Sequence, residues 1–402
     1  MMTSKRFEIL VLNNIAAVGL QRLPAERYHV GKDSKAPDAV LVRSADMHAM
    51  QIPTSVRAIG RAGVGTNNIP TAAMSSRGVP VFNAPGANAN AVKELVVAGL
   101  LIAARNLVPA LQFVGSLANE SWNDKADALD ERVEAGKKSF AGMELPGRTL
   151  GVIGLGKIGS LVADAGIRLG MNVLGHDPQI TVEAAWSLPS QVRKADSIDQ
   201  VLRESNFVSV HVPLNSATRG LIDERALSEM PTGAVLLNFS RDAVVDESSI
   251  IAALAANKLR AYVTDFPSPG LLGVQGVVAL PHLGASTQEA EDNCAIMVAD
   301  QVRDYLEHGI VRNAVNFPDV VMNRESPYRV AIANSNVPNM LGQISTAMAS
   351  AGLNIHNMIN KSKGEMAYTL VDCDSDVPDS VIAAIGRIHG VLAVRYLPTQ
   401  GA

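Results

Sequence analysis

Short apolar runs alternate with helix-length stretches through the first two-thirds of the chain. FEILVLNN (7–14), DAVLVRS (38–44), VRAIGRAG (56–63) and VPVFNA (79–84) read as strands, and one long helix is expected from Val92 to about Leu117. The stretch NESWNDKADALDERVEAGKKSF (119–140) is too polar for a core and is expected to be irregular. A second series starts at RTLGVIGLG (148–156). It continues through NVLGHD (172–177), FVSVHVPL (207–214), AVLLNFS (234–240), AYVTDF (261–266) and VVALPHL (277–283). Strands that alternate with helices imply parallel sheets covered by helices. A helical period follows from about Thr287 to Gly309, and then NAVNFPDVVMNRESP (313–327), whose prolines and asparagines give it linker composition. Beyond it the rhythm changes. YRVAIANS, GQISTAMASAG, NIHNMINKSKG, MAYTLVDCD, SVIAAIGRIHG and VLAVRYLP spell β-α-β-β-α-β, a small, self-contained ferredoxin-like unit.

A chain of 402 residues is too long for one ordinary core, so two or three domains are expected. Its 47% hydrophobic and 18% charged residues place it among globular rather than disordered proteins. A net charge of −4 argues against a nucleic-acid surface. Two cysteines, Cys294 and Cys373, exclude a disulfide framework and read as buried thiols in a reducing compartment. The opening apolar run has no small-residue cleavage site and reads as a strand. No uninterrupted apolar stretch reaches the roughly 18 residues of a membrane span. A cytoplasmic protein without membrane, nucleic-acid or metal partners is expected.

The segment GVIGLGKIG (151–159) holds Gly154-x-Gly156-x-x-Gly159 directly between an apolar strand and a helix. In that context Gly154 makes the tight turn, Gly156 admits pyrophosphate, and Gly159 lets helix and strand pack closely. The helix start then faces the phosphates with unpaired N–H groups. The next strand ends at Asp177, where an acid accepts hydrogen bonds from ribose hydroxyls and repels a 2′-phosphate, so NAD is favoured over NADP. The bland alternative is a structural glycine turn with a surface aspartate. Arg241 and His282 each follow an apolar strand, at the end where α/β sheets place ligands. Arginine grips carboxylates bidentately and histidine exchanges protons near neutral pH, a pairing suited to hydride transfer from a hydroxy acid. Taken singly, either residue has an ordinary structural explanation.

LPGRTLGVIGLGKIG, HVPLNSATRGLID, AVLLNFSRDAVVDE and PHLGASTQEAEDNCA together resemble successive signatures of the D-isomer-specific 2-hydroxyacid dehydrogenase family, over almost the first 315 residues. The tail resembles an ACT domain, which makes the chain similar to the phosphoglycerate-oxidising branch of that family. The resemblance implies a Rossmann domain (95–283) inserted in a flavodoxin-like substrate domain (1–94 and 284–315), a linker (316–327) and an ACT domain (328–402). It assigns carboxylate binding to Arg241 and acid/base work to His282. It places Lys157, Ile158, Asp177, Val212, Phe239, Ser240 and Asp265 around NAD, with Asp265 at the carboxamide. Arg43, Arg61 and the Gly63-Val64-Gly65 backbone match positions that bind substrate phosphate or carboxylate. Lys137 and Lys138 fall where a relative contributes a cation, although an exposed lysine pair is ordinarily just solvated.

One departure stands out. The family has a glutamate about five residues beyond Asp265 that pairs with the histidine, and no acid lies between Asp265 and His282 here. Either Glu289 or Glu291 on the next helix supplies the partner, or His282 works with water or a backbone carbonyl; the second is the expectation. In the tail, Asn336 and Asn354 match positions that can hold an amino-acid effector such as L-serine, and Asn334, counted with them, stands where some relatives have histidine. Asn339 replaces a glycine there, and a purely dimerising module is the alternative. The resemblance implies a homodimer or homotetramer. Another D-2-hydroxy acid (glycerate, glyoxylate, 2-hydroxyglutarate) as substrate, and a non-catalytic NAD sensor, complete the set of readings.

Overall fold

The computed structural model describes residues 6–120 and 126–399. The chain forms two compact units: the residues up to Asn88 together with those from Gln288 onward, and Ala89–Thr287 between them.

In the first unit a five-stranded parallel sheet runs in the order Tyr28–Gly31, Phe7–Val11, Ala39–Val42, Ala58–Arg61, Val81–Phe82. This 2-1-3-4-5 order is flavodoxin-like. Its inner strands are buried on both faces, as expected for aliphatic runs covered by helices. The helix Gln288–His308 repeats Cys294, Val298, Val302 and Tyr305 at three- and four-residue spacing, and that stripe is buried. Gly60 allows its close approach, since a β-carbon there would stand 2.7 Å from Val298 Cγ2. Tyr28–Gly31 had no legible sequence signal.

The same unit contains a four-stranded antiparallel sheet, ordered Ile355–Lys363, Met366–Cys373, Tyr328–Ser335, Val391–Pro398, the β-α-β-β-α-β pattern expected of the tail. One face packs Val330, Ile332 and Val371 against Ile344 and Ile385 of its two helices. The other turns Ala331, Ala333, Tyr368 and Leu370 into the core that holds Val298 and Phe82. The tail is therefore not self-contained. Tyr368 Oη donates to the Gly309 carbonyl at 2.8 Å, and Arg395 donates to the Tyr305 and Leu306 carbonyls at the end of the long helix. The segment expected as a linker is also part of this core: Phe317 and Val320 are fully buried, and Val311 and Val320 form an antiparallel bridge. Its apolar residues outweigh its prolines. Deep in the sheet Arg329 makes a bidentate pair with Asp372 at 2.6 and 2.8 Å and donates to the carbonyls of His308, Met322 and Asn323.

The second unit is a seven-stranded parallel sheet of Rossmann type. Its order is Val277–Ala279, Leu259–Thr264, Ala234–Asn238, Phe207–Val210, Thr149–Ile153, Asn172–His176, Arg193–Lys194. The chain reverses direction across the sheet between Thr149–Ile153 and Phe207–Val210, the position where such sheets bind ligands. Two expectations give way here. The single helix is two, Ala89–Ala104 and Leu107–Ser116, bent by 67° where Asn106 adopts φ 51°. The polar stretch holds a helix, Ala126–Lys137, because its alanines, glutamates and lysine favour one; residues 121–125 lie outside the described residues. Among the described residues no single helix is long and apolar enough to cross a membrane.

Candidate active site

The glycine turn has the geometry a dinucleotide requires. Gly154 adopts φ +91°, and a β-carbon on it would lie 2.7 Å from the His211 carbonyl oxygen. A β-carbon on Gly159 would overlap the Gly154 carbonyl, whereas Gly156 has nothing within 4 Å of that position. The open side at Gly156 caps the helix Lys157–Arg168, whose first N–H groups are unpaired, so backbone and space both fit a pyrophosphate. Lys157 is exposed and Ile158 is half-buried in the core. Asp177 sits beside the turn and accepts from Leu155 N and Gln179 N, both at 2.9 Å. Val212 packs 3.1 Å from the would-be β-carbon of Gly154. Phe239 is buried in the core, so only its backbone is presented. Ser240 is held by Asn238 Oδ1 through both its N–H and its hydroxyl. Close by, burial pushes the His211 imidazole down to about 4, and its Nδ1 has no hydrogen-bond partner among the described residues.

Two strand-end turns of this unit present the proposed reacting groups. Arg241 leaves the strand Ala234–Asn238 through a turn fixed by the buried Asn238, whose Nδ2 donates to the Arg241 carbonyl at 2.9 Å. Its guanidinium donates to the Ser240 carbonyl and forms no ion pair among the described residues. His282 is exposed at φ 57°, in the left-handed region that strains a non-glycine residue, with its ring edge-on to Phe266 at 5.1 Å. The buried Asp265 explains how that turn is held: Oδ1 accepts from Leu283 N at 2.7 Å and Oδ2 from Gly284 N at 2.8 Å. Sequence reasoning gave Asp265 to the cofactor and missed this positioning contact, as it missed Asn238. Asp265, Phe266, Ser268, Glu247 and His282 line one cavity of about 410 Å³.

In the first unit Arg43 and Arg61 do come together. Arg61 Nε donates to the Arg43 carbonyl at 3.1 Å, and the Arg61 guanidinium lies over Gly63. Val64 O accepts from Asn83, and Gly65 lies near Asn67. Arg43 is already paired, with Glu291 at 2.6 Å. That contact commits Glu291, one of the two acids considered for His282, to an arginine. Burial raises the pKa of the Cys294 thiol, which Arg61 and Arg43 partly oppose. Lys137 and Lys138 are exposed in the second unit, and Lys137 pairs with Glu134 one helical turn away.

The regulatory candidates divide. Asn334, which is buried, and Asn336 line a small pocket of about 190 Å³ with Asn339, Met340 and Asn360. Asn334 Oδ1 has no partner there among the described residues. Asn339 is left-handed, φ 63°, as a turn of this kind demands. Asn354 lies outside this pocket and bonds Asp374 at 2.6 Å. It immediately precedes the strand Ile355–Lys363. Among the described residues no group of three or more His, Cys, Asp or Glu side chains is arranged to hold a metal ion.

Residues 101–284 match the D-isomer specific 2-hydroxyacid dehydrogenase NAD-binding domain. A D-3-phosphoglycerate dehydrogenase of Methanocaldococcus jannaschii is 33% identical over 350 residues, 84% of this chain. This chain spans only 62% of that relative's length. The D-3-phosphoglycerate dehydrogenase of Escherichia coli K12 is 32% identical over 354 residues, 85% of this chain and 81% of that one. An NAD+-bound 3-phosphoglycerate dehydrogenase structure from Entamoeba histolytica shares the fold, with a TM-score of 0.58 at 24% identity over 77% of this chain and 99% of that one. With its glycine turn in an NAD-binding domain and one-third identity along most of the Escherichia coli relative, this chain belongs to the D-isomer specific 2-hydroxyacid dehydrogenase family.

Proposed function

We propose that the protein oxidises D-3-phosphoglycerate to 3-phosphohydroxypyruvate with NAD, the entry step to serine, as a cytoplasmic homo-oligomer. The observation that carries the choice of substrate is the joining of Arg43 and Arg61 beside the Gly63 turn. Two arginines on neighbouring strand ends suit a phosphate. The names of the relatives support the same substrate. In this reading Arg241, unpaired, takes the substrate carboxylate, and His282 Nε2 or Nδ1 takes the C2 hydroxyl proton. Gly154, Gly156 and Gly159 receive the dinucleotide phosphates and Asp177 the ribose. Asp265 acts at one remove by holding the His282 turn. Bound NAD supplies the hydride acceptor. The pocket at Asn334 and Asn336 suits a small amino acid, L-serine first, because its lining is rich in amides that both donate and accept.

A second reading has a specific observation behind it. The Arg43–Glu291 ion pair offsets the Arg43 charge, which fits an unphosphorylated D-2-hydroxy acid. NADH formation with D-3-phosphoglycerate, D-glycerate and D-2-hydroxyglutarate, with the keto product trapped, separates the two. A preference for phosphoglycerate of tenfold or more, about 1.4 kcal/mol, upholds the first. Equal or better turnover of glycerate transfers the case to the second. Added L-serine reads the amide pocket in the same assay.

A further inference from the structure

We infer that Asn83 is a positioning residue: its side chain fixes the Gly63-Val64-Gly65 turn so that backbone N–H groups face a substrate oxyanion. The inference rests on the oxidation proposed above and deepens it by naming what shapes the anion-binding turn. The turn leaves the end of the strand Ala58–Arg61, and Asn83 follows the neighbouring strand Val81–Phe82. The two strands pair with Ile59 opposite Val81 and Gly60 opposite Phe82, so their ends lie side by side. Two hydrogen bonds join those ends. Asn83 Nδ2 donates to the Val64 carbonyl at 2.5 Å, and Ala84 N donates to the Gly63 carbonyl at 2.9 Å. A trans peptide points its C=O and the following N–H in opposite directions. Holding the Gly63 and Val64 carbonyls toward residues 83 and 84 therefore turns the N–H groups of Val64 and Gly65 away from them. Neither N–H has a hydrogen-bond partner among the described residues. Successive N–H groups directed to one side form a nest for an oxyanion.

The cations of the site belong to the same turn. A β-carbon on Gly63 would overlap Arg61 Nη1, so glycine is what admits that guanidinium, and Arg61 Nε reaches the Arg43 carbonyl. Asn83 is itself held from behind: its N–H donates to the Asn313 carbonyl at 3.4 Å, and Phe82 bridges to Ala314. Of the two bonds to the turn, the one from Ala84 is backbone and is available to any residue except proline. The bond from Asn83 depends on residue type, because a carbonyl needs a donor and the amide supplies one. Asn316 provides the contrast. It holds the same strand, its Oδ1 accepting from Val81 N at 2.8 Å and its Nδ2 donating to the Val79 carbonyl at 2.9 Å, but it makes no hydrogen bond to the turn.

The test reads the turn directly and needs no turnover. In the full-length protein with NAD, amide hydrogen exchange of residues 62–67 is followed by peptide mass spectrometry. It is measured without anion and with D-3-phosphoglycerate, D-glycerate or inorganic phosphate. An oxyanion seated on Val64 and Gly65 is expected to slow exchange there in the parent. Slowing by inorganic phosphate assigns the turn to the substrate phosphate, and slowing by D-glycerate assigns it to the carboxylate. In Asn83→Ala the slowing is expected to vanish at the same concentration. KM for the hydroxy acid should then rise about tenfold, the worth of one hydrogen bond, with kcat within about twofold of the parent. Asn83→Leu, similar in size and unable to donate, is expected to repeat the loss without leaving a cavity. Asn316→Ala, which loosens the same strand, is expected to keep the slowing and the KM of the parent while its thermal midpoint falls. Unchanged slowing and KM in Asn83→Ala, or equal losses in Asn316→Ala, overturn the assignment, as does a parent whose turn no anion slows. Failure of the parent to oxidise any hydroxy acid refutes the reaction, while the exchange measurements still decide the role of Asn83.

Discussion

At a few buried and strand-end positions the two units answer charge differently. In the first, charged groups are answered by charged groups: Arg329 by Asp372 inside the antiparallel sheet, and Arg43 by Glu291 at a strand end. In the second, Asp265 is answered by backbone N–H groups, His211 is kept neutral by burial, and Arg241 has no ionic partner among the described residues. The difference bears on binding. An anion arriving at Arg241 displaces only a carbonyl contact, whereas one arriving at Arg43 must compete with a carboxylate. A buried ion pair stabilises a fold mainly by the penalty of breaking it, and a preorganised unpaired cation is the better ligand.

The comparison can be broken in four places. The largest effect is expected at Asp372→Asn, which leaves Arg329 buried without a counter-charge and costs about 3–5 kcal/mol in urea unfolding. A loss within experimental error would mean the carbonyls of His308, Met322 and Asn323 hold Arg329 by themselves. Arg241→Ala should lower kcat/KM about 10²- to 10³-fold through lost carboxylate binding. Its thermal midpoint should stay near that of the parent, and a large destabilisation would make Arg241 structural.

His211 sharpens the neutral side of the contrast. Its folded-state pKa near 4 lies below the ordinary 6.5, so the folded protein binds fewer protons than the unfolded chain between those values. Its contribution to stability is full above pH 6.5 and is lost as pH falls toward 4. The loss amounts to about 2 kcal/mol by pH 5. His211→Asn should flatten the fall of the thermal midpoint across that window, and an identical fall in both proteins would place the acid lability elsewhere. The smallest effect is expected at Glu291→Gln, which releases Arg43 and should lower KM for a phosphorylated substrate about two- to fivefold at low ionic strength. Salt should erase the gain; a KM that rises instead would show the pair orienting Arg43 for its ligand.

Much of the architecture was legible because parallel strands buried on both faces are written as continuous apolar runs. AVLLN and FVSV announce themselves, and the glycine turn follows directly from the strand before it. Tyr28–Gly31 and Arg193–Lys194 did not, since edge strands with His29, Arg193 and Lys194 on them lack an apolar run. The helix break at Asn106 was missed because a left-handed asparagine disturbs no hydrophobic period. Of the site, the glycines, Arg241 and His282 could be found by position after a strand. Asn238, and Asp265 in its role at the His282 turn, could not, because what they hold is distant in sequence or set by the path of a turn.

The amino-acid pattern alone determined three sheets, their parallel or antiparallel kind, the dinucleotide turn and the residue types available for acid/base work. These depend on local period, local backbone freedom and short spacing, which one stretch of chain contains within itself. Only the tertiary structure decided that the tail shares a core with the first sheet and that Arg43 is taken by Glu291. Each of these is a meeting of side chains from separate segments. Such meetings are settled by the packing of whole elements, about which no single segment holds information.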